Sequence, residues 1–255
     1  MPDEELLRGL ARRITGGDEA GSLLRHAWRE ASNGFDYMPF IRGYFFGPQY
    51  LGPAHPVVLD AAEEIPEVYT GYILCNIENS LEIMMNNPSH SYDLSTDKHV
   101  DCPGEKGIVV LETYYRVVQS HLERAAEAVK EARGLVPSEL ATVFEAETLP
   151  ILWFYHTLRT CGNLYELNRI VMELKGERDK GEGEIRRRIE RLREILLDEK
   201  QNTLESLPIA QRDTRMEVQR GDFSLYTLVD MMRAKLELLD VQIEVRLPEL
   251  EKNYK

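Results

Sequence analysis

An all-α fold, a bundle of five or six main helices, is what this sequence predicts, and three observations predict it. The stretch 137–175, PSELATVFEAETLPILWFYHTLRTCGNLYELNRIVMELK, places its apolar residues on two helical tracks. One runs Leu140, Phe144, Ile151, Phe154, Leu158, Cys161, Tyr165, Met172; the other runs Trp153, Leu164, Leu167, Val171, Leu174. A surface helix needs a single stripe, so two tracks predict a central helix covered on more than one side. Apolar residues recur at the same helical period in five other stretches, and helix-ending signals such as Gly16-Gly17, Asn33-Gly34 and Gly134 fall between them.

Taken in order, residues 3–15 put Leu6, Leu7, Leu10 and Ile14 on one face, with acids in the first turn and arginines in the last, which suits the helix dipole. Asp18 is placed to cap a second helix carrying Leu23, Leu24, Ala27, Trp28 and Ala31 up to Asn33-Gly34. From 37 to 66 the proline and glycine density forbids a long helix and predicts an irregular, strongly aromatic segment. Residues 67–87 fit either a short strand followed by a helix or a buried helix, and 88–107 reads as a long loop, the segment expected to be most mobile. A helix follows Gly107 and ends at Gly134, with Val110, Tyr114, Val117, Val118, His121, Leu122, Ala125 and Val129 on its core face. The central helix opens at Pro137-Ser138, and Pro150 is expected to kink it. After a charged, glycine-rich turn at 175–184 comes a helix through residue 207 with Ile185, Ile189, Leu192, Ile195 and Leu196. A charge-rich connector, 208–224, leads to a last helix at about 225–247, whose inward track reads Leu228, Met231, Met232, Lys235, Leu236, Leu239, Ile243. The whole is expected to be one helical domain, without repeats or low-complexity stretches.

The chain has 255 residues and is 43% hydrophobic, enough to bury a sizeable core. Its 31 Lys and Arg against 44 Asp and Glu leave a formal charge of −13. That field repels phosphate backbones and anionic membranes, so neither nucleic acid nor a membrane is an expected partner. Cys75, Cys102 and Cys161 are few, odd in number and without a CxxC pair. They fit a reducing compartment, and the acidic N-terminal MPDEELLRGL has no signal-peptide layout, so a cytoplasmic location is the expectation.

His156, Arg159, Asn163 and Glu166 lie at i, i+3, i+7 and i+10, one strip of the central helix. Such a strip lines a polar groove, or it is a solvated side stabilised by local pairing; the second is the plainer expectation. Glu145 and Glu147 are two residues apart and therefore diverge, which argues against an acid–base pair; a single buried Glu145 bonded to an arginine of the 208–220 connector is the structural alternative. Asp97, His99, Asp101 and Cys102 are ligand-type side chains, but all lie in one loop without the CxxC or HxxxH spacing of zinc sites, so no metal is expected. HExxH, a Walker loop, GxSxG, GxGxxG and the paired Glu-x-x-His of di-iron bundles are all missing from the sequence, and no cofactor is expected.

The most unusual stretch is 42–56, RGYFFGPQYLGPAHP, where two Gly-Pro steps are flanked by Tyr44, Phe45, Phe46 and Tyr50. Rigidly held aromatics suit stacking on sugar rings or on a partner, and equally suit a corner that plugs the end of a bundle. With LLRGLARRITG, AWREASNGF, the Gly47-Pro48 and Gly52-Pro53 steps, Asn163 among the arginines of 159–169, and Asp213-Thr214-Arg215 before the last helix, the chain resembles the helical C-terminal domain of bacterial glycoside-hydrolase-like proteins. The resemblance implies a non-catalytic accessory domain that supports a catalytic barrel or the rim of its sugar-binding site. It implies no catalytic residues here; Tyr44, Gln49, Tyr50 and Arg215 come forward as sugar contacts, with His156, Arg159, Asn163 and Asp213 as further candidates. The alternative is a helical protein–protein interaction module without a ligand.

Overall fold

The computed structural model describes residues 4–38, 51–60, 63, 65–69, 91–93, 98–100, 104–176, 181–216 and 226–254. Among these, six helices of twelve residues or more carry the architecture: α1 (Glu4–Thr15), α2 (Asp18–Phe35), α3 (Gly104–Arg133), α4 (Ala141–Gly176), α5 (Glu182–Arg212) and α6 (Leu228–Val241). A short α7 (Leu247–Lys252) closes the chain. The fold is an all-α bundle, as the periodicity requires.

α4 is its axis. Both of its tracks are covered: Phe144 packs with Ala11, Leu24, Ala27 and Val129 of α1, α2 and α3, while Leu158, Cys161 and Tyr165 meet Tyr115, Val118 and Leu122 of α3. Leu164, Leu167, Val171 and Leu174 pack against Ile189, Leu192, Ile195 and Leu196 of α5 and against Leu239 and Leu247. A helix buried on several sides must take its stability from tertiary packing, which is why its sequence lacks one polar face.

Boundaries depart from expectation where side chains or neighbours supply what the local sequence lacks. Asp18 begins α2 instead of capping it; Gly17 holds the cap position with no side-chain bond, and the helix passes Asn33-Gly34 to end at Phe35. α3 starts at Gly104, and within the 88–107 stretch Ser91–Asp93 pairs antiparallel with Lys98–Val100, so that expected loop contains a two-stranded hairpin. α5 runs through Pro208 to Arg212, well into the expected connector. Leu204, the residue four before Pro208 whose carbonyl loses its N–H donor, is 45% exposed, where solvent can serve it. Pro248 is accommodated differently: the helix widens to a π turn over Gln242–Arg246, and Leu247 N–H donates to Gln242 O. α6 itself starts at Leu228 on a capping box, the Thr227 hydroxyl accepting from Asp230 N–H and the Asp230 carboxylate accepting from Thr227 N–H.

Residues 51–59 of the irregular segment are no surface loop. Residues 51–59, with a 3₁₀ turn at Gly52–Ala54, are buried throughout, threaded between α4, α5 and α6. Buried backbone needs hydrogen-bond partners, and α6 and the π turn supply them: Lys235 Nζ donates to Pro53 O at 2.9 Å and Leu59 N–H donates to Gln242 Oε1 at 2.9 Å. Tyr69, in the 3₁₀ turn Glu67–Tyr69, donates its hydroxyl to Ala54 O at 2.9 Å and Met231 O at 2.7 Å. Gly52 sits at φ 54°, a left-handed conformation, and a Cβ there would lie 2.6 Å from Thr157 Oγ1.

Candidate functional site

Down the α4–α5 interface the packing turns polar. The apolar track of α5 continues from Leu192, Ile195 and Leu196 into Glu199, Asn202, Thr203 and Ser206, all buried. Opposite stand His156, Thr160 and Asn163 of α4, and from α6 comes Lys235. Lys235 and Glu199 are both fully buried, and Nζ donates to Glu199 Oε1 at 2.5 Å. Thr160 Oγ1 donates to the same oxygen at 2.6 Å, and Asn163 Nδ2 donates to Glu199 Oε2 at 2.8 Å. The carboxylate is thus served on both oxygens, the condition under which a buried ion pair offsets its several kcal/mol of desolvation. Asn202 extends the seam: its Nδ2 donates to His156 O at 2.9 Å and to Thr160 Oγ1 at 3.0 Å, while its Oδ1 lies 2.7 Å from His156 Nδ1.

Burial sets the protonation chemistry. Desolvation pulls the Lys235 ammonium below the usual lysine range, opposed by the Glu199 charge and hydrogen bond. It pushes the Cys161 thiol well above its ordinary value, with Glu199 adding to the effect. His55, 2% exposed, is pushed down to about 3 by burial and by the Lys235 charge. Its Nδ1 donates to Pro56 O at 2.7 Å, and its Nε2 has no hydrogen-bond partner among the described residues. His156 is lowered by burial, against the opposing bond to Asn202. A thiol, an imidazole and an amine held neutral or paired inside a core are poor reagents without a path to them.

Outside the seam, α4 forms the floor of a cleft with α3 and α5 as walls. Two adjoining cavities of about 640 and 370 Å³ share Glu123 and Tyr155. Each end is tied by the same device, a glutamate of α4 gripped by one arginine from each wall. At one end Glu166 accepts from Arg116 Nη2 at 2.7 Å and from Arg191 Nε at 2.6 Å. At the other, Glu145 pairs with Arg133 at 2.5 Å and Arg212 at 3.6 Å. The glutamates are 21 positions apart, about 32 Å at 1.5 Å per residue, so the ties pin most of the length of α4. Gly162 permits the first tie, since a Cβ there would lie 2.8 Å from Arg116 Nη1. Burial alone would raise the Glu166 carboxyl, but hydrogen bonds and charge from Arg191 and Arg116 carry it below the usual range. Between the ties, Arg159 makes two bonds to Asp198, at 3.0 and 2.5 Å, and one to Glu205 at 2.9 Å.

The strip His156, Arg159, Asn163, Glu166 is therefore not a solvated side. His156, Asn163 and Glu166 are 7, 4 and 9% exposed, and the strip faces α5, joining the seam to the cleft. Local spacing placed the four on one face but could not say that α5 would offer Asp198, Glu199 and Asn202 to it. Asp213 and Arg215 lie apart from this strip. Arg215 is bonded to Asp213 through Nε at 2.9 Å and Nη2 at 2.5 Å, and Nη2 also donates to Ala146 O at 2.6 Å. Ala146 is four residues before Pro150, so the guanidinium supplies the donor that the proline removes, and α4 continues without a break. Both residues of the Asp-x-Arg phrase are engaged within the chain. Glu145 forms an ion pair at 3.6 Å with an arginine of the 208–220 stretch, Arg212, but is 28% exposed and not buried, and Glu147 diverges from it to accept from Trp28 Nε1 at 2.9 Å. Tyr44, Gln49, Tyr50, Asp97, Asp101 and Cys102 lie outside the described residues. Among the described residues no group of three or more His, Cys, Asp or Glu could hold a metal ion, and no helix is long and apolar enough to cross a membrane.

Lys235, Glu199, Asn202 and His55 form the heart of the seam and were not among the residues singled out from sequence. A lysine inside the inward track of the last helix was the available signal. Fold and site together define an all-α bundle with a buried ionic seam and a pinned cleft along one central helix. No family model matches the chain, and comparisons with curated proteins and with solved structures find no match.

Proposed function

We propose that the chain is a non-catalytic helical support domain, which buttresses a glycoside-hydrolase-like catalytic barrel or forms the rim of its sugar-binding site. One observation carries the support role: the glutamates that α4 and α5 set between helices are spent on neighbouring cations. Glu199 is held by Lys235, Glu166 by Arg116 and Arg191, and Glu145 by Arg133 and Arg212. A general acid or base needs a free lone pair or proton within reach of a substrate, and these groups are directed at helix-to-helix contacts. The carbohydrate part of the reading rests on the motif resemblance and on the aromatic Gly-Pro stretch. A screen of mono- and oligosaccharides by thermal shift tests it: a saturable rise in Tm with a sugar, lost in Tyr50→Ala, is the expected result, and no response to any glycan removes it.

A second reading, a helical interaction module without a ligand, is favoured by α1. Leu6 and Leu10, one turn apart, are 66 and 46% exposed, an apolar stripe with solvent on it. Leu6→Glu with Leu10→Glu would abolish capture of a partner in that case and leave any sugar response intact.

A further inference from the structure

At the level of Tyr155 the cleft is lined by acceptors. Glu123 and Glu127 stand on the α3 wall and Glu205 on the α5 wall, with Asp198 close enough to act on the Tyr155 hydroxyl. Arg159 is the guanidinium among them, and Asp198 and Glu205 already hold it. Glu123 and Glu127 make no ion pair among the described residues.

An independent feature points into the same space. His156 is 7% exposed and lines the cleft beside Tyr155, the two rings 5.0 Å apart. The carbonyl of His156 can only accept, so the Asn202 group 2.9 Å from it is the amide nitrogen. Asn202 Oδ1 then faces His156 Nδ1 at 2.7 Å, and that nitrogen carries the proton. Nε2 makes no hydrogen bond to a described residue, so its lone pair is open on the cleft side, and burial lowers the ring's pKa and favours its neutral form. A fixed lone pair and unpaired carboxylates call for a ligand that donates hydrogen bonds and carries positive charge.

We infer that this end of the cleft binds a primary ammonium carried on an apolar stem. The ammonium, with three donors, sits against His156 Nε2, the carboxylates of Glu123 and Glu205, and the face of Tyr155. The stem runs over Leu152 and Leu149 toward Phe144. Lys130, Arg133 and Arg212 line the far end, which sets the sign of the ligand there: a second ammonium is repelled, so long diamines are excluded. A net charge of −13 steers such a cation toward the protein. The inference stands apart from the support role and from any sugar.

The test titrates hexylamine into isotope-labelled protein at neutral pH and about 150 mM salt, which screens loose surface association. Saturable shifts centred on the rings of His156 and Tyr155 are expected. Glu123→Gln with Glu205→Gln weakens binding about tenfold, a loss of ~1.4 kcal/mol, while Glu190→Gln on the exposed side of α5 leaves it unchanged. Hexanol and hexanoate, with the same stem, leave the His156 ring unshifted. Nα-acetyl-lysine methylamide separates the sources: tighter binding than hexylamine assigns the site to a lysine side chain of another protein, weaker binding to free amines. The inference is overturned if hexanol or hexanoate shifts His156 as hexylamine does, if Glu190→Gln weakens binding as much as the double variant, or if hexylamine gives no saturable shift at His156.

Discussion

Lys235 Nζ lies 2.5 Å from Glu199 Oε1, with neither side chain reaching solvent, and the same ammonium donates to the carbonyl of Pro53. One cation thus joins α6, α5 and the threaded segment 51–59. Removing one member leaves the other charge stranded in the core. Lys235→Met is expected to cost about 3–5 kcal/mol in chemical denaturation. The double variant Lys235→Met, Glu199→Leu should recover a large part of that loss. A double variant no more stable than Lys235→Met alone would show that the two charges are not energetically coupled.

Arg215 and Pro150 form a second testable pair. Because Arg215 Nη2 serves the Ala146 carbonyl that Pro150 leaves without a donor, Arg215→Ala should destabilise the protein and lower its Tm. In a Pro150→Ala background the helix regains its own N–H, and the same Arg215 change should then have a clearly smaller effect. Equal losses in both backgrounds would mean that the contact to Ala146 is incidental.

Gly52→Ala tests how tightly the segment 51–59 is seated. The substitution meets both a left-handed φ of 54° and a contact of 2.6 Å to Thr157 Oγ1. Together these should cost on the order of 2–3 kcal/mol, read as a lower denaturation midpoint at unchanged m-value. Thr157→Ala, which removes the hydroxyl, should relieve part of the cost and leave the backbone part.

The buried imidazoles fix the sign of the acid response. His55 titrates near 3 in the fold against 6.5 as a free side chain, so the unfolded chain takes up its proton first. The stability contributed by neutral His55 is complete above pH 6.5 and declines as pH falls toward 3; at pH 5 about 2 kcal/mol is lost. His156, also lowered, acts in the same direction. Thermal melts should show Tm falling from about pH 6.5 downward, before carboxylates protonate, and the ring signals of His55 should not titrate above pH 5. A Tm constant across that interval would contradict the burial of both rings.

The helical architecture was legible because two apolar tracks on 137–175 can only be satisfied by neighbours on several sides. Parts of the seam were legible too. Lys235 sits in register with Met231, Met232 and Leu239, and Asn202, Thr203 and Ser206 continue the inward period of α5. The partners were not legible, since charge on a helix face reads as solvation until another helix supplies the counter-charge. Arg116, Glu166 and Arg191 come from three helices, and no spacing along one of them encodes the tie. Pro208 misled for a related reason: a proline ends a helix only when nothing serves the carbonyl that loses its donor, and α5 runs on through it.

Residues 51–59 also impose an order of events on the nascent chain. Their seat is made by helices that are synthesised later, and the bond from Leu59 to Gln242 spans 183 residues. Until α6 and its π turn have left the ribosome, the side of this stretch that they cover is open to proteases and chaperones. Completion of this part of the core therefore waits on α6 and its π turn, and translation halted before residue 242 should yield chains cleaved within 51–59, whereas chains extended past them resist.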